Sequence, residues 1–137
     1  IAEQRGIKVV ESKTTTSEDF ASLLKIRVKS LDGENVVSGT IFGKTWPRIL
    51  RINDFHLEAV PEGHILLISN QDRPGMIGLI AMVLGDQGIN IGQMSVGQEK
   101  EHKRNIILMN TDVPVNDDIL EKLRGLDHVF SARRIEL

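Results

Sequence analysis

Two hydrophobic periods run through this chain. Up to about residue 62, apolar and polar residues tend to alternate, the period of a strand. Leu24, Ile26 and Val28 alternate with Lys25, Arg27 and Lys29, the pattern of a half-buried strand. Asp32-Gly33 is a strong hairpin signal, and Glu34–Phe42 returns as the next strand. Gly43–Pro47 reads as a turn, with Arg48–Ile52 and Phe55–Val60 as two more strands around Asn53-Asp54. Nearer the start, Ile7–Glu11 is a short strand candidate and the polar stretch Lys13–Asp19 a loop. Residues 1–62 are therefore expected to form an antiparallel β-meander.

Pro61-Glu62-Gly63 is turn-forming punctuation and marks the expected boundary with a second domain, 63–137. His64–Asn70 contains the apolar run Ile65-Leu66-Leu67-Ile68, typical of a central strand. From Met76 the period becomes helical: Met76, Leu79, Ile80, Val83 and Leu84 share one face, and Gly88 caps the helix. Ile89 and Ile91 then alternate in one phase, Met94 and Val96 in the other. One strand can carry both pairs only if a bulge near Gly92-Gln93 resets its register. Lys100–Lys103 is a charged turn and Asn105–Thr111 another strand. Pro114 and Asn116 open a second helix with Ile119, Leu120, Leu123 and Leu126 on its apolar face, and Val129–Leu137 is the last strand. Strand, helix, strand, strand, helix, strand is the ferredoxin-like βαββαβ order, with both helices on one face of a four-stranded antiparallel sheet and its second and fourth strands at the edges. The expected fold class is α+β.

Composition narrows the function. The 137 residues are 40% apolar and 26% charged, ordinary for a globular chain. A formal net charge of −2 argues against nucleic acid as a partner, which requires a basic field. Without cysteine there is no disulfide, thiolate metal site or thiol nucleophile, which fits a cytoplasmic location. No apolar run is long enough to cross a membrane and no signal peptide is visible. Ile1–Gly6 reads like the last turn of a helix with a glycine cap, so the chain is expected to be cut from a longer protein.

Candidate chemistry concentrates in Asn70-Gln71-Asp72-Arg73-Pro74-Gly75-Met76-Ile77-Gly78, which joins the first strand of the second domain to its first helix. Pro74 suits a helix start, and Gly75 leaves room for a ligand against the backbone. Unpaired amides of a helix N-terminus attract carboxylates, while Asp72 can accept from an ammonium group. Together they match a free amino acid, although Asp72 can equally serve as a helix cap. Asn90, between Ile89 and Ile91, offers both donor and acceptor, or is simply a turn asparagine. Lys44, Arg48 and Arg51 near Pro47 form a possible anion site, or a basic edge that discourages strand pairing. Trp46 either meets a neighbouring domain or covers its turn. His56, His64, His102 and His128 lack metal-ligand spacing, and no metal is expected.

Asp72-Arg73-Pro74-Gly75 followed by a helix, then Gly88-Ile89-Asn90-Ile91, resembles the ACT domain, an amino-acid-sensing module of biosynthetic enzymes. Gly39–Lys44, Pro47-Arg48-Ile49 and Ala59–His64 resemble the intervening and ACT domains of the longer D-3-phosphoglycerate dehydrogenases. The resemblance covers essentially the whole chain. It implies a regulatory region that binds L-serine between two subunits for feedback inhibition. Asn70 and Asp72 would come from one subunit and Asn90 from the other, with Arg73, Pro74, Gly75, Met76 and Ile77 around the ligand. The first of these positions carries His or Tyr in relatives and Asn70 here. The resemblance also implies a homodimer, with possible higher assembly. It places no cofactor in this chain; NAD and the catalytic residues would belong to an upstream part. The same module attached to an L-serine dehydratase or another amino-acid enzyme, or an ACT domain with no ligand and only an oligomerisation role, is the alternative.

Other uses of the fold fit less well. An acylphosphatase-like enzyme would pair Arg73 with Asn90, but the loop lacks a glycine-rich phosphate cradle. An RNA-binding module needs aromatics on its central strands, and Ile65–Ser69 and Asn105–Asn110 have none.

Overall fold

The computed structural model describes residues 3–12, 22–31 and 33–137. The expected loop at Lys13–Asp19, and Asp32 of the hairpin signal, lie outside the described residues. The chain opens with a single 3-10 turn, Glu3–Arg5, and Gly6 follows at φ 72°. Ile7–Glu11 is exposed and forms no strand. Alternation alone does not make a strand, which needs a neighbouring segment to take up its backbone groups, so this expectation is corrected.

The first sheet is a meander of β1 (Leu24–Ser30), β2 (Gly33–Phe42), β3 (Trp46–Ile52) and β4 (Phe55–Ala59), paired antiparallel in chain order. Register shifts at Ser38/Gly39 and between Ile49 and Arg51 mark irregularities on β2 and β3. Asn53 holds the β3–β4 turn at φ 51°, where asparagine is tolerated, and its Oδ1 accepts from the Val36 amide at 2.8 Å.

The second sheet holds β5 (His64–Gln71), β6 (Ile91–Glu99), β7 (Arg104–Thr111) and β8 (Val129–Glu136), in the order β6-β7-β5-β8. That is the ferredoxin-like order, with its second and fourth strands at the edges. The β6–β7 register slips between Ile91 and Gln93, the bulge that the change of phase requires. Helices α1 (Met76–Gly85) and α2 (Asp117–Arg124) cover one face. There Leu66, Ile68, Ile107 and Met109 pack against Ile80, Leu84 and Leu123. Asn116 caps α2 by accepting from the Ile119 amide at 3.0 Å, and acids at the start and bases at the end favour the helix dipole. Helix α1 ends at Gly85, earlier than expected; Gly88, at φ 69°, instead closes the exit turn, where the Ile89 amide returns to the Leu84 carbonyl.

The other face of this sheet is also covered. Phe55, Leu57 and Ala59 of β4 pack on Ile65, Ile106 and Leu108. Burial on both faces explains the unbroken apolar runs of β5 and β7. At Gly97 the two sheets approach closely: a Cβ there would lie 2.9 Å from the His56 carbonyl oxygen and 3.0 Å from Phe55 Cβ. Ser95 Oγ also donates to the Glu58 carbonyl. At the opposite edge of the meander, every residue of β1 is exposed. The expectation of a half-buried strand is corrected: Leu24, Ile26 and Val28 alternate as expected, but β4, not β1, carries the face that is covered.

Candidate functional site

The Asp72–Gly75 loop leaves β5 at the end of the sheet where β7 begins, because Asn70 and Gln71 pair with Asn105 and Arg104. The Asp72 amide donates to the Lys103 carbonyl at 2.8 Å and the Gln71 amide to that of His128 at 2.8 Å, so neighbouring turns moor the loop on both sides. Gly75 is the N-cap of α1, at φ 86°, and no side chain caps the helix. Pro74 therefore lies just before the cap rather than in the first turn. Asp72 is not a cap either. Its Oδ1 accepts from Asn105 Nδ2 at 3.0 Å, and its Oδ2 lies at the 3.5 Å limit from Gln98 Nε2. Asp72 is exposed and has no ion-pair partner among the described residues.

Among the described residues, the amides of Ile77 and Gly78 meet no backbone acceptor, while those of Met76 and Leu79 return to Arg73 and Gly75. These are the orphan donors of a first helical turn. Met76 is buried. The Arg73 guanidinium turns aside to His128 Nε2. Asn70 is completely buried, its Nδ2 donating to the Gln71 carbonyl at 2.7 Å.

Asn90 lies elsewhere. It precedes Ile91, which pairs with Thr111 at the far end of β7. Seven residue steps of strand, roughly 23 Å, separate that end from Arg104. The Asn90 backbone is bonded to Asp112, while its exposed side chain makes no hydrogen bond among the described residues. Within one chain, then, Asn70 and Asp72 come together and Asn90 does not join them. Asn105, Gln98 and His128 were missed from the sequence, since only strand register and turn packing bring them to the loop. The one available signal was Asn105, a polar residue directly before the apolar run Ile106–Met109.

Two of the three basic candidates are already engaged. Arg48 lies 3.6 Å from Glu58 and Arg51 3.6 Å from Asp54. Arg51 also donates to the Asn53 carbonyl, whereas Lys44 sits in the β2–β3 turn. Trp46 stands exposed on the rim of a groove of about 330 Å³ shared with Arg48, Glu62 and Gln93. Glu99, Glu101 and His102 bring possible metal ligands within 4.8 Å of one another. The Glu99 carboxylate is occupied there, accepting from the Glu101 and His102 amides and the His102 ring. Packing raises its pKa, but these donors outweigh that and hold the carboxyl below its ordinary value. A dinucleotide does not fit the β5–α1 turn, which leaves an antiparallel sheet and has an aspartate-proline loop in place of a glycine-rich one.

Comparison with known proteins matches residues 1–53 to the D-3-phosphoglycerate dehydrogenase intervening domain and residues 64–128 to the ACT domain. A D-3-phosphoglycerate dehydrogenase of Archaeoglobus fulgidus is 35% identical over 139 residues, covering 100% of this chain and 26% of the relative. The enzyme of the same name from Methanocaldococcus jannaschii is 34% identical over 137 residues and that from Bacillus subtilis 28%, each likewise covering 100% of this chain and 26% of the relative. The chain thus spans about a quarter of the length of these relatives. It is an intervening-domain segment, of the kind found in D-3-phosphoglycerate dehydrogenases, followed by an ACT domain.

Proposed function

We propose that this chain senses L-serine for feedback control of a D-3-phosphoglycerate dehydrogenase. The observation that carries the reading is that α1 is capped by Gly75, which leaves the Asp72 carboxylate for a ligand. Asp72 and the amides of Ile77 and Gly78 lie at the same corner, an acid for an ammonium group and donors for a carboxylate. Oxidation of phosphoglycerate with NAD belongs, in this reading, to the parts of the relatives that this chain does not span.

The site is completed by a second copy. The two edges of the second sheet differ in charge. β8 carries Arg133, Arg134 and Glu136, the charged residues that discourage pairing, whereas β6 has no Lys, Arg or Pro and a single acid at its end. A two-fold antiparallel pairing of β6 with β6, centred near Ser95, would set Asn90 of one copy beside Glu99 of the other. Gln98 and Asp72 are adjacent there. The ligand would then be gripped by both copies and favour the paired arrangement. Such differential affinity is what couples a site to a distant equilibrium, typically by about 1–3 kcal/mol.

Isothermal titration calorimetry with L-serine, glycine and D-serine tests the reading. Stereospecific L-serine binding is expected, and Asp72→Ala should weaken it at least tenfold while leaving the circular dichroism spectrum unchanged. Undiminished binding by that variant rules out the site. No heat from a folded dimer would leave the ACT pair with an oligomerisation role.

A further inference from the structure

Two buried oxygens of the ACT sheet have no hydrogen-bond partner among the described residues, Oδ1 of Asn70 and Oδ1 of Asn105. Their residues are 0% and 4% exposed and stand directly opposite each other across the β5–β7 ladder. The orientation of both amides follows from their surroundings. Asn70 Nδ2 faces a carbonyl oxygen and Asn105 Nδ2 faces the Asp72 carboxylate. Flipping either amide would set acceptor against acceptor, so the Oδ1 atoms are left over. Buried polar atoms without partners are rare and call for an explanation.

Gln98 extends the pair into a row, since it stands opposite Asn105 across β6–β7. The three amides share the strand parity of Ile68, Ile107 and Val96, which pack on the helix-bearing side. The row therefore lies on the side from which α1 and its loop rise. It begins at the exposed Gln98 on the β6 edge and ends at the buried Asn70. Asp72 caps it with a negative charge held only by neutral amides.

We propose that Asn105, with Gln98 as its outer support, is a specificity-determining residue of the effector site. In this assignment the two orphan oxygens and the Asp72 carboxylate form an acceptor-only subsite for a primary ammonium group. The proposal rests on the reading of Asp72 as an effector ligand. A primary ammonium carries three donors and no acceptor, which matches a set of unpaired acceptors beside a carboxylate. A hydroxyl in its place brings a single proton and no charge, leaving acceptors unpaired. Sites built around buried polar groups discriminate strongly against ligands that leave those groups unpaired. The 3.5 Å Gln98–Asp72 contact is the longest in the row and lies at its exposed end, so a ligand entering from the β6 edge displaces the weakest bond.

The test is calorimetry on the whole chain with L-serine, glycine and L-glycerate, the serine analogue with hydroxyl in place of ammonium. The wild type should prefer L-serine to L-glycerate at least a hundredfold. Asn105→Ala should lose at least tenfold in L-serine affinity and narrow that preference at least tenfold, a change that a purely structural role would not produce. Gln98→Ala, at an exposed position, should narrow the preference about threefold and decides the matter if Asn105→Ala does not fold. Wild-type affinity and preference in the folded Asn105 variant, or in Gln98→Ala if that variant does not fold, would overturn the subsite; with binding lost in Asp72→Ala, the serine reading would stand. A wild type that ignores both L-serine and glycine would overturn both.

Discussion

The outer strand of the meander and the central strands of the ACT sheet are built from similar apolar residues and end in opposite environments. In β5 the run Ile65-Leu66-Leu67-Ile68 lies between helices on one side and β4 on the other. In β1 the stripe Leu24, Ile26 and Val28 stays exposed, and Leu24 and Ile26, with Val37, Ile41 and Ile49, border an apolar groove of about 490 Å³. The residue types do not distinguish the two. What differs is the second layer: burial stabilises a strand only where another element removes its face from water.

The largest effect should come from testing that contrast directly. Leu66→Ala removes a fully buried side chain and should cost about 2–5 kcal/mol, whereas Ile26→Ala, 53% exposed, should stay within about 0.5 kcal/mol. Urea denaturation of both variants measures the difference. Equal losses would mean that the β1 face is covered in solution.

A smaller effect tests the junction of the two sheets. Gly97→Ala would push its methyl against the His56 carbonyl and Phe55 and should cost about 1–3 kcal/mol. Hydrogen exchange should quicken in β4 more than in β8, where a uniform change would show that the sheets are not coupled through Gly97.

The smallest effect belongs to the β6–β7 hairpin tip. The Glu99 pKa is depressed in the folded chain, so its contribution is present above the ordinary value of 4.5 and is lost as pH falls through the lower folded value. An NMR titration should show the Glu101 and His102 amide signals sharing a transition with its midpoint below pH 4.5, with Glu99→Gln abolishing that transition. Neither core should respond to that substitution.

Much of this molecule was legible from local pattern. The phase change between Ile91 and Met94 announced the bulge, Asn116 its cap, and the order of elements the second sheet. Leu79 shows the limit: its spacing put it on the buried face of α1, yet it is 49% exposed beside Met82. Every residue of α1 is apolar or glycine, so periodicity had no polar side to orient the helix. At the site, Asp72 and the glycine after Pro74 were readable, but that Asp72 would not cap the helix was not. It depended on Gly75 taking a left-handed conformation and on Asn105 arriving across the ladder to hold the carboxylate.

The sequence by itself determined the order of strands and helices from β1 onward, which residues alternate, and that Asp72 stands just before the start of α1. Those are local matters, set by side-chain period, turn chemistry and the reach of a few residues. Only the tertiary structure decided that β4 rather than β1 carries the shared core. It alone set Asn70 opposite Asn105 and placed Asn90 at the other end of the sheet. Register and coverage join residues far apart in the chain, and the free energy that selects among them comes from burial that no single segment can provide.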